Sequence, residues 1–476
     1  MVLLAVLATP VGLAVTLERS SYDTWGGFVW GPALLLLCLP LARWVARCAR
    51  EPEIIRFLMG AAVLKIVIGA ILRYVTAQAF YGGLADAAVY DNAGAVLAPQ
   101  FRRGIFHDLG KISGTRFIEI LSGIVQAVIG ESRMGNFFVF SFMGFLGLCL
   151  LYVAFSEAVP DGNRTLFRRL LFLTPSIWYW PSGIGKEAFI LMCLGAMAFG
   201  AVRLLDGRVS GAVVGGLGLW GAAIVRPHFA LLFLAGVLAS LIPLQRRGQA
   251  PRGGHTIVRL MVPVLLLLAG LLVLNRLEAF FHLDSIDANA AEQVLSDVND
   301  RTSQGGSEIS GGSSTISPVG LLANAATVLA RPFPWEQGGV QGVASGLEST
   351  VVLGVIGVTI TRHRRSIVRS LRLRLPRLVL VYSLAFAAAF GSINNFGILV
   401  RQRSLFWPYL FVFICAGAAG GVRAASDRAT SDGELIDGRR RGAALGAGRS
   451  RSSGSGRALS SSPPGRARPE GGRPTA

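Results

Sequence analysis

The residues best placed to do chemistry follow an apolar run that is long enough to cross a membrane. Asp86 and Tyr90 come directly after the run 57–78, at the start of a polar segment over 79–135. Membrane helices usually end in aromatic or basic anchors, so an acid at this depth is an unusual choice. A carboxylate within hydrogen-bond reach of a hydroxyl can take its proton during attack. Asp86 is therefore the candidate base for a reaction on a lipid-borne substrate, and the alternative is a simple helix N-cap.

The elements that must position these residues are membrane helices. Hydrophobic residues make up 52% of the 476-residue chain, charged residues make up 15%, and the mean hydropathy is +0.54. These values lie outside the range of soluble globular proteins. The sequence predicts an all-α polytopic membrane protein with about twelve transmembrane helices. The predicted spans are 1–17, 26–42, 57–78, 136–155, 168–183, 187–204, 211–226, 228–243, 258–275, 348–361, 377–394 and 404–421.

Arginines predict the orientation of these spans. Four predicted loops, at 41–56, 157–169, 244–257 and 362–377, are rich in Arg. The positive-inside rule places them in the cytoplasm, together with both termini. The sequence thus predicts a multi-pass protein of the cytoplasmic (inner) membrane, with external loops at 79–135 and 276–347. The net charge of +19 reflects this topology and a basic tail, and it does not indicate a nucleic-acid partner.

Cations on the outer side run against that charge bias. Arg is preferred for bidentate phosphate contacts, and cations stabilise a departing lipid phosphate. We expect several of these cations to converge with Asp86 on one outward cavity, because a shared phosphate would satisfy charges that are expensive at the membrane edge. The candidate substrate-binding residues are Tyr90, Lys186, Glu187, Arg226, Arg331, Glu336, Arg401 and Arg403.

Each candidate also has a structural alternative. Lys186 would pair with Glu187, and Arg226 would serve as an interfacial anchor. Lys65 lies in mid-span and is expected to form a structural ion pair. The His and Cys residues show no metal-ligand spacing, so neither a metal nor a cofactor is expected.

Residues 116–130 are predicted to form a short amphipathic helix. One helical face carries Phe117, Leu121, Ile124, Val125 and Val128. Because the segment is short for a span, we expect it to lie in the membrane interface and to form one side of a groove for a lipid tail. A re-entrant packing helix is the alternative.

The order of these features resembles the GT-C superfamily of polyprenyl-phosphate-sugar-dependent membrane glycosyltransferases, which includes protein mannosyltransferases and lipid A aminoarabinose transferases. The resemblance covers residues 55–425. It rests on the loop with Asp86 and Tyr90, on the helix 116–130, and on the sequence Thr174-Pro-Ser-Ile-Trp-Tyr-Trp-Pro-Ser-Gly-Ile-Gly-Lys-Glu187.

The resemblance implies a catalytic acid in the first large external loop. This role would fall on Asp86, with Asp91 as the second candidate and Asp108 as a further possible assistant. The family's acids often form an Asp-x-Asp-like element, whereas Asp86 and Asp91 stand five apart. The implied partners are a polyprenyl-phosphate-linked sugar donor, a glycan or lipid acceptor, and membrane lipid. The implied reaction is an inverting transfer in cell-envelope polysaccharide or glycolipid assembly.

Two other functions remain open. An O-antigen-type polysaccharide polymerase or ligase would depend on outward arginines more than on an early acid. A lipid-linked glycan flippase or exporter fits less well, because the external loops cluster acids with Arg. Beyond the transmembrane domain 1–422, residues 423–476 are rich in Arg, Gly, Ser and Pro. They are predicted to form a disordered basic cytoplasmic tail.

Overall fold

A computed structural model describes residues 21–82, 85–242, 270–271, 273, 326–336, 339–391 and 395–418. Within these ranges the elements are helices and there is no β-strand, so the expected all-α class is confirmed for this part of the chain. The predicted span 1–17, most of 258–275, the loop 244–257, much of the loop 276–347 and the tail 423–476 lie outside the described residues.

The first half of the bundle, as far as the structure describes it, consists of six α-helices and one π-helical stretch. Helix α1 spans Tyr22–Ala49, α2 spans Ile54–Ala62, a π-helical stretch spans Val63–Gly69, and α3 spans Ala70–Tyr81. Helices α4 (Asp86–Arg102) and α5 (Gly114–Ile129) pack on each other as a hairpin, and α6 spans Arg133–Ala158. The α5 bounds match the predicted amphipathic helix within two residues. Val125 is buried on it, whereas Ile124 and Val128 are exposed.

The remaining helices complete the bundle. Their bounds are α7 Arg164–Leu173, α8 Pro175–Tyr179, α9 Lys186–Leu205, α10 Ser210–Val225, α11 Pro227–Leu241, α12 Gly339–Ser370, α13 Arg374–Phe390 and α14 Phe396–Gly417. Among the described residues, six helices are long and apolar enough to cross a membrane: Trp25–Ala49, Ile54–Phe80, Arg133–Ala158, Lys186–Leu205, Gly339–Ser370 and Phe396–Gly417. They indicate a membrane protein, with fewer such helices than the twelve spans expected.

Residues 168–183 do not form the single helix expected from the sequence. Helix α7 ends at Leu173, Pro175 begins the five-residue α8, and a 3₁₀ turn follows over Trp180–Ser182. Pro181 has a non-helical backbone (φ −84°, ψ 38°). A proline lacks a backbone donor and ends or kinks a helix. The segment is therefore a broken helix rather than one continuous span.

Lys65 satisfies the carbonyl groups that this break leaves free. Its ammonium nitrogen lies 3.3 Å from Ile177 O, 2.8 Å from Pro181 O and 3.1 Å from Ser182 Oγ. The ion pair expected for Lys65 is wrong, because these described partners are neutral. The side chain is 1% exposed, and it ties the π-helical stretch to the segment that precedes α9.

Two glycines allow the broken segment to pack this closely. A Cβ at Gly69 would lie 2.7 Å from Trp178 O, and a Cβ at Gly144 would lie 2.9 Å from Pro181 O. Real Cβ atoms do not approach other atoms so closely. The backbone of 178–182 is thus held between the π-helical stretch and α6. This packing fixes where Gly183 and the start of α9 lie.

Ion pairs group the helix termini into two ends of the bundle. At one end, Arg164 Nη1 lies 2.8 Å from Glu51 Oε1, and Arg203 Nη2 lies 2.7 Å from Glu157 Oε1. The N-terminus of α13 joins this basic end through a bond from Arg374 to the Leu205 carbonyl. The α4–α5 hairpin and the N-terminus of α9 lie at the opposite end, which we call the site end.

Candidate functional site

Three helices and the junction between two others bring predicted site residues together at the site end. Asp86 begins α4, Glu187 lies in the first turn of α9, Arg226 lies between α10 and α11, and Arg401 lies on α14. Arg401 Nη2 is 3.3 Å from both Asp86 Oδ2 and Glu187 Oε1. Arg226 Nη2 is 3.1 Å from the same Glu187 oxygen, and Arg226 Nη1 donates to Gln402 Oε1 at 2.8 Å. The two carboxylates and two guanidinium groups therefore form one continuous network.

The two carboxylates of this network differ in exposure. The Glu187 side chain is 7% exposed and contacts both guanidinium groups, so it holds Arg226 and Arg401 in place. The Asp86 side chain is 62% exposed, and its one polar contact with the described residues is to Arg401. The N-cap position of α4 is occupied by Ala85, and Asp86 is the first helical residue, so the structure does not have the expected alternative in which Asp86 is the N-cap. Asp86 is the carboxylate that is accessible to a substrate.

A cavity of about 370 Å³ lies against this network. Its walls come from α3, α4, the segment before α9, and the start of α14. They include Arg73, Asp86, Trp180, Gly183, Glu187, Asn395 and Arg401. A larger groove of about 500 Å³ runs beside it between α3, α8 and α12, and it is lined mainly by apolar side chains. Trp180 lines both spaces.

Arg73 is a site residue that the sequence reasoning missed. Its guanidinium carbon lies 5.1 Å from the centre of the Tyr179 ring and 4.9 Å from the centre of the Trp180 ring. Its Nη1 is 3.5 Å from the Tyr179 hydroxyl, and its Nε is buried without a hydrogen-bond partner in the described structure. The sequence signal that could have found Arg73 was a charged residue within the apolar run 57–78, which precedes Asp86.

Lys186 and Tyr90 border the network without lining the cavity. Lys186 Nζ donates to Thr115 Oγ1 at 2.9 Å rather than pairing with Glu187. Tyr90 is buried beneath the site. Burial, together with the charges of Asp86 and Glu187, raises the pKa of Tyr90 to about 12. The phenol is therefore protonated at neutral pH, and it can donate a hydrogen bond but cannot act as a base.

Asp91 lies in a different environment from Asp86. Its Oδ2 is 2.8 Å from Arg133 Nε, and its Oδ1 accepts bonds from Gln126 and Asn136, each at 2.9 Å. Burial raises the pKa of the Asp91 carboxyl, although the bonds from Arg133 and Asn136 act in the opposite direction. Because its oxygens are occupied by groups on α5 and α6, Asp91 joins these helices to α4 and does not face the cavity.

The remaining predicted residues also lie apart from the cavity lining. Arg331 pairs with Glu336 at 2.8 Å and lies over the Phe396 ring. Arg403 is 1% exposed and donates to Ser349 Oγ from within the bundle. Asp108 is exposed and contacts its neighbour His107.

The arrangement at the site end can bind an anion and accept a proton. An exposed carboxylate beside arginines supplies the base and the cation that displacement at a phosphorylated centre requires. Within the described ranges, no group of three or more His, Cys, Asp or Glu side chains could hold a metal ion. Comparison of the chain with protein-family models, with curated proteins and with solved structures found no match.

Proposed function

We propose that the protein is a GT-C-like membrane glycosyltransferase. It would move a sugar from a polyprenyl-phosphate donor to a glycan or lipid acceptor, in cell-envelope polysaccharide or glycolipid assembly. The observation that carries this proposal is the exposed Asp86 carboxylate on a cavity with Arg401 and Arg73 in its walls, beside an open apolar groove.

The proposed reaction assigns a separate role to each charge. Asp86 accepts the proton of the acceptor hydroxyl while the hydroxyl oxygen attacks the anomeric carbon. The bond from that carbon to the lipid phosphate oxygen breaks, and the phosphate leaves with the electron pair. Arginine stabilises the charge that develops on it. Glu187 holds Arg401 and Arg226 and does not itself react. A single displacement inverts the anomeric centre.

The proposal includes a topology that a labelling experiment tests. Twelve spans, with 168–183 as a broken crossing, would place both termini and the basic end in the cytoplasm and Asp86 on the outer face of the inner membrane. We expect a cysteine beside Asp86 to react with an impermeant thiol reagent on intact cells. A cysteine at Arg369 should react only after permeabilisation. Labelling of both positions from one side would overturn the topology and the mechanism.

The activity is tested by profiling the lipid-linked glycans of a strain that lacks the protein. We expect the polyprenyl-phosphate sugar to accumulate and one sugar to disappear from an envelope glycan or glycolipid. A polymerase or ligase is the second candidate, favoured by the central position of Arg401, which contacts both carboxylates. A polymerase would instead change glycan chain length and leave the composition intact.

A further inference from the structure

Arg73 carries a charge whose place in the fold is otherwise unexplained. It lies inside the apolar helix Ile54–Phe80, where an unpaired charge is costly. Among the residues that the structure describes, its contacts are the rings of Tyr179 and Trp180 and the Tyr179 hydroxyl, and none is a carboxylate. Its buried Nε has no hydrogen-bond partner within the described part of the chain. A guanidinium group held in this way is prepared for an anion.

The charges around the cavity point to the same residue. Arg401 and Arg226 already have carboxylate partners, because both contact Glu187 and Arg401 also contacts Asp86. Of the arginines that line the cavity in the described structure, Arg73 is the one without a carboxylate partner. An anion that enters the cavity therefore meets a guanidinium without a carboxylate partner at Arg73, whereas Nη2 of Arg401 is already shared between two carboxylates.

The surroundings of Arg73 limit what kind of anion would bind. Its planar fork matches the oxygens of a phosphate, and the two aromatic rings restrict its orientation. Trp180, on which it stacks, also lines the apolar groove, whose other walls include Leu72, Phe80 and Val340. Phe80 is 76% exposed and Val340 is 83% exposed, so the groove is open at its side. An apolar chain can enter there while its head reaches Arg73.

We infer that Arg73 is the phosphate-binding residue for a single-chain lipid phosphate. The phosphate contacts the Arg73 guanidinium at Trp180, and the chain lies in the groove between α3, α8 and α12. The identity of this lipid as a sugar carrier rests on the proposed function above, whereas the binding of a lipid phosphate does not.

The test is equilibrium binding of a radiolabelled long-chain polyprenyl monophosphate to the purified full-length protein in detergent. We expect Arg73→Ala to weaken binding about tenfold or more, because hydrogen bonds to charged groups are lost. Arg73→Lys keeps the positive charge but loses the paired guanidinium donors, so this variant should bind with intermediate affinity. It also carries the test if the alanine variant does not fold. Arg168→Ala is the matched control, since Arg168 stacks on Phe57 at the basic end, and it should bind normally.

Competition identifies the source of the phosphate and the role of the groove. Unlabelled polyprenyl phosphate should displace the label, whereas inorganic phosphate and phosphatidylglycerol micelles at matched phosphate concentration should not. Ala344→Trp, which adds a ring to the groove wall, should weaken binding as Arg73→Ala does.

Wild-type affinity in both Arg73 variants, or equal competition by inorganic phosphate or phosphatidylglycerol, would overturn the inference. Binding of this sugar-free lipid requires no transfer reaction, so a wild-type protein that binds it but transfers no sugar would contradict the proposed function and leave this inference standing.

Discussion

Replacing Asp86 with Asn should reduce sugar transfer by about a hundredfold or more, the usual contribution of a positioned general base. The amide has nearly the same shape as the carboxylate but cannot accept the acceptor's proton at neutral pH. The fold should remain intact, because Asp86 is 62% exposed and has one ion pair, at 3.3 Å. The measurement is transfer from a polyprenyl-phosphate sugar by the purified variant, with thermal unfolding followed in parallel.

Asp108→Asn provides a matched control for this substitution. Asp108 lies in the same connection between membrane helices, is exposed, and contacts His107, so the variant should keep wild-type transfer. Two other outcomes are informative. Full activity in Asp86→Asn together with complete loss in Arg401→Ala would contradict the base assignment and favour the polymerase. Loss of activity together with loss of the folded protein would mean that Asp86 is structural.

The pairing of Asp86 with distant cations could be predicted from the sequence because the argument depended on energetic cost. Outward charges near a membrane are expensive, and this predicted that several of the outward cations would converge with Asp86. Arg401 contacts Asp86 across more than three hundred residues of chain, and Arg226 joins them through Glu187. The same argument did not distinguish Arg331 from the cations at the cavity, although Arg331 pairs with Glu336 five residues away. A local partner removes the need for a distant one.

The spacing of Asp86 and Asp91 in the sequence could not predict their environments without the orientation of the helix that carries them. In an α-helix with 3.6 residues per turn, positions five apart lie about 140° apart around the axis. Asp86 and Asp91 therefore point in different directions once Asp86–Arg102 is a helix. The sequence argument treated them as neighbours in a polar loop, so it could not predict that Asp91 would be enclosed by Gln126, Arg133 and Asn136.

The broken segment explains why Arg73 and Lys65 were harder to interpret. Both lie in an apolar run and look equally unfavourable in the sequence. Their partners come from 177–182, a stretch that was predicted to be part of a continuous span. Pro175 and Pro181 were the signal for the break, since helices usually end at a proline. Without that break there are no free carbonyls for Lys65 and no aromatic pair under Arg73.

Replacing Lys65 with Met should destabilise the protein by about 3 kcal/mol, because three hydrogen bonds from a buried amine are lost and their acceptors stay buried. The Met side chain is similar in length but cannot donate to Ile177 O, Pro181 O or Ser182 Oγ. The measurement is thermal unfolding in detergent. Transfer should also fall in the protein that remains folded, because the freed segment leads directly into Gly183 and Glu187 at the cavity wall.

Lys111→Met serves as the control for Lys65→Met, since Lys111 is an exposed lysine on the α4–α5 connection, and its replacement should leave the melting temperature unchanged. A double-mutant cycle with Ser182→Ala makes the test specific. If Lys65 acts through this segment, the two substitutions should be less than additive, because residues in one hydrogen-bond network are coupled. A Lys65→Met variant as stable as the wild type, or strict additivity with Ser182→Ala, would mean that the prolines and glycines hold the break without the lysine. The position of Trp180, and with it the wall shared by the cavity and the groove, would then be set by backbone packing alone.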